Sequence, residues 1–582
     1  MLSRAGIFAW HRRLGAALGL LLFVVCSSGT LAVLGFELDE WLGPAYPVET
    51  VERVPWEQVD ETLAREFPYD RPTTVMFEPG EPLRVALESP LGQSLVAVLD
   101  PVTGELLDTR HVISIQVFLR QFHKGLLIPK GLYIVTLMSV LLFFSLLSGA
   151  IVYRRFWKYL FRLRLRKGSR VAWADIHRTV GVWSIPFAIL IAVTGTWYFV
   201  EALGRDTATY QAEPPAPSVS GTQVEATSLS KLVDSAESAL PDLRVRTILL
   251  PGDHDSLAVV HGQRDAILVR PRVNRVYLGP RAEVVEVWRE EEQAIDHRLS
   301  DMADPLHFGS FGGLPVKLLW FVFGVLLSTV VLAGPLLGFL RGQKRVQQEK
   351  FPLPGLGRRI GSNVPNVLVA LLVVTSMFLT NAATSFPLVA GWAPPATAAP
   401  IEAFDSEMLL LRHDEEEGGR ATYRLTGLGR PVPHEATLRI EDVEHTLHHG
   451  ELFADRSDEV TLTIDGEPQT VSLRPTEDLP APLQAALTPR GLSTPGYVTA
   501  FVVGFFVFQL LIILTWLWLI GRPWRGSKLR GATRTDLKEK SSDGQSAELQ
   551  GSEVPASVPQ SEARTPELVA EFAGPRQKPS IS

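Results

Sequence analysis

Six long apolar runs decide what this chain can fold into. A helix needs about 20 apolar residues to cross a hydrocarbon core of roughly 30 Å. Six stretches of the 582-residue chain reach that length: Leu14–Leu34, Leu132–Tyr153, Thr179–Val200, Val316–Leu340, Val364–Ala383 and Thr499–Ile520. Thr380 and Asn381 interrupt the end of the fifth. The first resembles a signal peptide in its basic approach and its Ser27-Ser28-Gly29. Its apolar length is too great for a signal core, however, and Val25 before Cys26 poorly suits lipoprotein cleavage, so it reads as an uncleaved helix. The expected fold class is a polytopic α-helical membrane protein with about six transmembrane helices. Cys26 is the single cysteine, which excludes a disulfide framework, a cysteine zinc site and a thiolate-held iron–sulfur cluster. The net charge of −7 says little about partners.

Positive charge gives the orientation. Arg154, Arg155, Lys158, Arg162, Arg164, Arg166, Lys167 and Arg170 follow the second run with no acidic residue among them. Arg341, Lys344, Arg345, Lys350, Arg358 and Arg359 follow the fourth, and Arg522, Arg525, Lys528, Arg530 and Arg534 the sixth. All three clusters fall on one side only with six crossings and both termini inside. The expected location is a bacterial inner membrane, with both ends cytoplasmic. The basic run, interleaved with aromatic residues and leucines, suits an anionic lipid surface and not nucleic acid.

This topology divides the chain into segments. Residues 1–36 hold the N-terminus and first helix, 37–122 the first outer domain, and 123–153 the second helix. Residues 154–178 form a basic cytoplasmic loop, 179–200 the third helix, 201–306 the second outer domain, and 307–340 the fourth helix. A loop at 341–363, a fifth helix at 364–383, a β-rich outer domain at 384–498, a sixth helix at 499–520 and a cytoplasmic tail at 521–582 complete it. The Ser, Pro, Glu, Lys and Gln content of that tail predicts disorder.

The first outer domain reads as a helix over Trp56–Phe67, then strands at Thr73–Phe77, Leu83–Leu87 and Leu95–Leu99, closed by the turn Asp100–Gly104. The second has the same outline: a helix at Leu229–Ala239, then strands at Val245–Leu250, Ser256–His261, Ala266–Val269 and Val284–Trp288. In the third, strands are expected at Ala421–Leu425, Ala436–Ile440 and Glu459–Ile464.

An internal repeat carries histidines. His11-Arg12-Arg13-Leu14-Gly15 opens the first crossing and His177-Arg178-Thr179-Val180-Gly181 the third, and in both a second glycine (Gly29, Gly195) lies 18 residues after the histidine. His123-Lys124-Gly125 precedes the second crossing and His307-Phe308-Gly309 the fourth, with Gly149 and Gly334 following those histidines at 26 and 27 residues. The helix–domain–helix unit thus occurs twice, with one histidine at each membrane face. Ionisable residues at membrane depth are costly and are functional candidates by default. Two facing neutral imidazoles make a low-spin haem site, so His11 with His177 and His123 with His307 are two candidate pairs. Arg12 and Arg178 are placed to pair with haem propionates. Gly15, Gly19, Gly29, Gly181 and Gly195 leave room for a flat macrocycle, although such glycines also serve helix packing.

The His-Arg-x-x-Gly openings, Ser28-Gly29-Thr30 and Thr194-Gly195-Thr196, and the helix-plus-strands domains resemble PepSY-associated transmembrane proteins. The resemblance covers roughly residues 5–345. It implies two PepSY-like outer domains, two bis-histidine haems b held by His11, His177, His123 and His307, and reduction of a ferric siderophore or other iron chelate in the periplasm. The electron donor, cytoplasmic or in the membrane, is unspecified; the tail lacks a glycine-rich nucleotide-binding signature. The fifth and sixth helices and the third outer domain lie beyond the resemblance; neither helix contains a histidine or a charge, so these helices carry no expected redox site. His445, His448 and His449 read as surface histidines rather than a metal site, His111, His254 and His261 as loop or strand-end residues, and Asp414–Glu417 as a charged turn. The competing readings are a non-enzymatic scaffold whose outer domains bind an envelope partner, and a siderophore or iron permease.

Overall fold

The computed structural model describes residues 3–521, apart from the segments 204–227, 349–368 and 377–396, positions 370 and 374, single positions and short stretches before 300, and short stretches between 404 and 493. The tail expected at 521–582 lies outside the described residues, save Gly521. Five helices are long and apolar enough to cross a membrane among the described residues: Arg4–Ala32, Gly131–Val152, Ile185–Ala202, Ser310–Gly338 and Gly496–Thr515. This is a multi-pass membrane protein. Most of the fifth expected span lies outside the described residues, but Val369 and Val373 are buried in the helical core.

Helix α1 (Arg4–Ala32) begins at Ser3, whose hydroxyl accepts the Gly6 N–H. Helix α2 (Gly35–Leu42) follows, and α3 (Trp56–Glu66) opens the first outer domain. Its four strands are β1 (Arg71–Met76), β2 (Leu83–Glu88), β3 (Ser94–Leu99) and β4 (Leu106–His111). Strand β4 was not expected, because its polar sequence suits a sheet edge that pairs on one side only.

Helix α4 (Ile115–Gly125) corrects the domain boundary drawn at 122–123. It is a separate amphipathic helix whose Phe118, Leu119 and Phe122 are fully buried in the core of the membrane bundle. Left-handed backbone at Leu126, Leu127 and Lys130 then turns the chain into α5 (Gly131–Val152). The third crossing is corrected too. The expected continuous helix 179–200 is two helices, α6 (Ser169–Trp183) and α7 (Ile185–Ala202), with Pro186 in the first turn of the second. Proline lacks the N–H needed inside a helix but fits its first turn, so the break falls there.

The second outer domain comprises α8 (Leu229–Ala239), β5 (Arg244–Leu249), β6 (Ala258–Gln263), β7 (Asn274–Leu278) and β8 (Val284–Trp288). The strand expected at 266–269 is displaced to β7, where Asn274 and Arg275 masked the pattern of a fully buried strand. Helix α9 (Ile295–Phe308) leads to α10 (Gly313–Gln348), separated from it by positive-φ Gly309 and Gly313.

The two outer domains are one body. Their strands form a single eight-stranded sheet in the order β4-β3-β2-β1-β5-β6-β7-β8, symmetric about the antiparallel β1–β5 pair. There Val75 faces Ile248, flanked by Thr74 opposite Leu249 and Met76 opposite Thr247. Helices α3 and α8 cover one face over a shared core that includes Val59, Leu63, Leu232 and Val233. Asp60 on α3 accepts the first N–H groups of α8, from Leu229 and Ser230, joining the halves at a helix N-terminus.

The third outer domain has two sheets. One contains β9 (Thr397–Ala403), β10 (Glu407–Glu415), β11 (Arg420–Gly427), β14 (Glu451–Asp455) and β17 (Arg474–Pro475). The other contains β12 (Ala436–Ile440), β13 (Val443–Thr446), β15 (Glu459–Ile464) and β16 (Glu467–Ser472). They share a core of Leu411, Tyr423, Leu425, Leu438, Val460 and Leu462. A short helix α11 (Ala481–Ala486) precedes α12 (Gly496–Gly521), the last apolar helix. Leu91 of the first outer domain packs with Ala398, Leu479, Leu483 and Leu487 of this region.

Within the bundle, small residues let α1 and α10 approach closely. A Cβ on Gly19 would meet Pro335 at 2.5 Å, and one on Gly324 would meet Thr30 at 2.5 Å. The two contacts are equally spaced on both helices, so α1 and α10 run antiparallel in fixed register.

Candidate functional site

Each end of the bundle brings two histidines together. At the end away from the sheets, His11 of α1 and His177 of α6 have ring centroids 6.3 Å apart, with planes at 59°. At the sheet end, His123 of α4 and His307 of α9 are also 6.3 Å apart, at 37°. Both pairs combine one histidine from each half of the repeat. His123, His177 and His307, which precede their apolar spans in sequence, sit on the separate short helices α4, α6 and α9.

A common device orients the rings. His11 Nδ1 lies 3.2 Å from the Ser145 carbonyl and 2.9 Å from the Ser148 hydroxyl. His123 Nδ1 lies 3.0 Å from the Val25 carbonyl and 3.3 Å from the Ser28 hydroxyl. His177 Nδ1 lies 3.0 Å from the Val330 carbonyl. His307 Nδ1 is 2.8 Å from the Thr194 hydroxyl, whose own hydrogen is directed at the Leu190 carbonyl 2.8 Å away. Every partner is an acceptor here, so Nδ1–H donates in all four rings and Nε2 carries the lone pair, the tautomer suited to metal ligation.

The pattern explains the motif glycines. Ser28, Ser148 and Thr194 immediately precede Gly29, Gly149 and Gly195. Ala333 holds the equivalent place before Gly334, and with no hydroxyl there His177 uses the carbonyl three residues earlier. Each histidine anchors its Nδ1 within its own half of the repeat and faces a ring from the other half. Ser28 and Thr194 stand in the Ser-Gly-Thr and Thr-Gly-Thr motifs and Ser148 beside Gly149, but spacing alone gave them no partner.

The ring separation suits ligation of a shared metal. Two metal–imidazole bonds of about 2.0 Å, each extended by about 1.1 Å to the ring centre, put opposed centroids roughly 6.2 Å apart. Room beside the pairs is unequal. A Cβ on Gly15 would meet no atom within 4 Å, and one on Gly181 only Val330 at 3.8 Å. Both glycines lie one turn beyond their histidines, on the same helix face. The other three expected spacer glycines are packed: Gly19 against Pro335, Gly195 against Ser139 at 2.6 Å, and Gly29 against the His123 ring itself at 2.6 Å.

The two arginines differ. Arg12 is exposed. Arg178 is paired with Asp175, a residue the sequence did not single out. Asp175 is buried and also takes Arg164 through Nε at 2.8 Å, NH2 at 3.0 Å and its backbone N–H at 3.1 Å. The Arg164 hydrogen bonds, with Arg178, hold its carboxyl well below the usual carboxylate range. This clamp pins the basic loop to α6 beside His177.

Over His307, Tyr198 makes an edge contact at 5.3 Å and donates to Asp304 at 2.5 Å. Arg270, from the β6–β7 loop, pairs with Asp304 at 2.9 Å and so ties the second outer domain to α7 and α9.

Of the remaining histidines, His254, His448 and His449 lie outside the described residues, as do Glu416 and Glu417 of the expected charged turn. Among the described residues no group of three or more His, Cys, Asp or Glu is arranged to hold a metal ion. His261, expected at a loop or strand end, is buried within β6 two residues before its end, and burial, with the Arg275 guanidinium, lowers its pKa to about 4.

Comparison with known proteins agrees with this architecture. A stretch of 87 residues is 34% identical to the uncharacterized protein PA4219 of Pseudomonas aeruginosa, covering 15% of this chain and 22% of that protein's length. The model of the PepSY-associated TM region matches residues 8–341, which include all four paired histidines and the eight-stranded sheet. The chain belongs to the PepSY-associated TM family.

Proposed function

We propose that this protein carries electrons across a bacterial inner membrane and reduces a ferric siderophore or similar chelate on the periplasmic side. The carrying observation is the pair of histidine pairs, each with centroids 6.3 Å apart and every Nδ1 committed to a helix. A scaffold has no use for four rings with their Nε2 lone pairs preset at two levels of a membrane bundle. His11 with His177 and His123 with His307 are suited to hold two haems b, which when bound supply one-electron redox chemistry.

In this reading the basic loops face the cytoplasm and the three β domains the periplasm. Along α1, His11 and the Val25 carbonyl that anchors His123 are 14 residues apart, about 21 Å of helix rise. Two sites at that separation span much of the hydrocarbon core, so an electron crosses while the chelate stays outside. The helix anchors fix ring orientation, and the apolar bundle excludes water. The outer domains position the chelate near the His123–His307 pair. One electron from an inner donor converts ferric to ferrous iron, which hard oxygen donors bind far less tightly, and the ligand leaves unchanged.

The test is haem content and its loss. Purified protein carries two haems by pyridine haemochrome assay, and His11→Ala or His123→Ala each removes one. Dithionite-reduced protein is reoxidised by ferric siderophore, with ferrous iron trapped by a chromogenic chelator. A haem-free wild-type protein overturns the reading. A haem-loaded protein indifferent to every ferric chelate keeps electron transfer and removes iron as acceptor.

A further inference from the structure

Helix α12 lies beyond residue 341, where the family match ends, and its buried face meets the helices that hold His123. Phe505 and Phe506 are buried against Phe118 and Phe122 of α4, with ring centroids 5.0 to 5.7 Å apart in edge contacts. His123 is the residue after Phe122. One turn along, Gln509 is fully buried and donates from Nε2 to Ser27 Oγ at 2.9 Å. Ser27 in turn donates to the Val24 carbonyl at 3.2 Å. The next carbonyl and the next hydroxyl on α1, those of Val25 and Ser28, are the partners of His123 Nδ1.

An amide inside an otherwise apolar span is costly. Gln509 Oε1 finds no hydrogen-bond donor among the described residues, so this position carries an unmet acceptor as well. A leucine would avoid both penalties. What the amide gains is a fixed attachment to one turn of α1, while the two phenylalanines fix α12 on α4. Ser376, from the other added segment, donates to the Leu126 carbonyl at 2.6 Å, where α4 ends. The added C-terminal part thus grips both helices between which the His123 ring is held.

We infer that α12 is a positioning element for the sheet-end histidine pair, with Gln509 as its polar anchor. It sets the α1–α4 separation and so the strength of the bond from His123 Nδ1–H to the Val25 carbonyl. That bond tunes how strongly Nε2 donates to a bound metal. A firm bond favours the oxidised metal and a loose one the reduced metal. Every described attachment of α12 named above lies at the sheet-end pair, so the expected effect is on that site. This inference rests on the proposed binding of two haems.

The test is a spectroelectrochemical titration of the full-length protein in nanodiscs, resolving two components. The component lost in His123→Ala marks the sheet-end site. Gln509→Leu and, more conservatively, Ser27→Ala raise the midpoint of that component and leave the other unchanged. The double variant shifts no further than Gln509→Leu, because both break one connection. Gln509→Glu, which as a neutral acid still donates to Ser27, restores most of the wild-type midpoint. With both haems bound, an unchanged midpoint in Gln509→Leu and Ser27→Ala overturns the inference, as does an equal shift of both components. Wild-type protein without haem overturns the proposed function itself, and this inference falls with it.

Discussion

The two histidine pairs share a ring spacing and a tautomer but live in different surroundings. The His11–His177 pair borders open space at Gly15 and Gly181, beside a loop clamped by Asp175. The His123–His307 pair is enclosed: Gly29 touches one ring, Tyr198 the other, and α12 backs the helix that carries His123. The repeat supplies an equivalent histidine pair to each end, while residues that differ between its halves, such as Asp175 and Tyr198, and α12 beyond it make their surroundings unequal. In the proposed function, the open site is the one to exchange electrons with an inner donor, and the enclosed site the one shielded from water.

The strongest way to break this contrast is Gly29→Ala. Its Cβ would meet the His123 ring at 2.6 Å, which forces the ring away from the Val25 carbonyl. The expected result is loss of the sheet-end haem with the other retained, read as a fall from two haems to one. Retention of both haems with unaltered spectra would show that the enclosure is loose. Gly15→Ala sharpens the comparison. It meets no protein atom within 4 Å and by helix propensity stabilises by up to about 1 kcal/mol. Impaired haem binding in a protein that is no less stable would place a macrocycle in that space. Full binding would exclude one there.

Acid separates the two halves of the sheet. His261 is buried and its pKa is lowered to about 4, so the folded form keeps it neutral while an unfolded chain protonates near the ordinary value. The folded pKa is depressed, so stability falls as pH drops below about 6.5, and the loss is complete below about 4. It amounts to about 3 kcal/mol. Hydrogen exchange across that window should rise in β5–β8 more than in β1–β4, and His261→Gln should abolish the difference. Equal exchange in both halves would count against it. The smallest effect is expected from Asp175→Asn, which unpins the basic loop from α6. Because both arginine partners are more than a third exposed, a loss below about 1 kcal/mol in thermal unfolding is expected, with the His11–His177 haem more easily lost than its counterpart. Equal retention would detach the clamp from the site.

The sequence made the spans and the helices legible because hydropathy and period are local. Helix α8 matches its expected limits, Leu229–Ala239, and β12 and β15 match theirs. Misses arose where a neighbour decides. Strand β4 is polar and exists because β3 offers it an edge, and β7 hides Arg275 under Trp288. The merger of two domains into one sheet rests on backbone pairing between β1 and β5, which leaves no mark on either strand's side-chain pattern.

The candidate site divides in the same way. The repeat named His11, His123, His177 and His307 because duplication preserves residue type and spacing, and both are written in the chain. Which ring faces which, which atom anchors each Nδ1, and which glycine faces space depend on helix packing across many residues. Asp175 and Gln509 could be found only there. A carboxylate becomes a clamp, and an amide an anchor, only when folding buries it beside a partner. The chain by itself marked its long apolar helices and the four histidines of the repeat. Tertiary packing decided how those ligands pair and what distinguishes one end from the other, because pairing is a matter of distance between helices and distance is not encoded in any one of them.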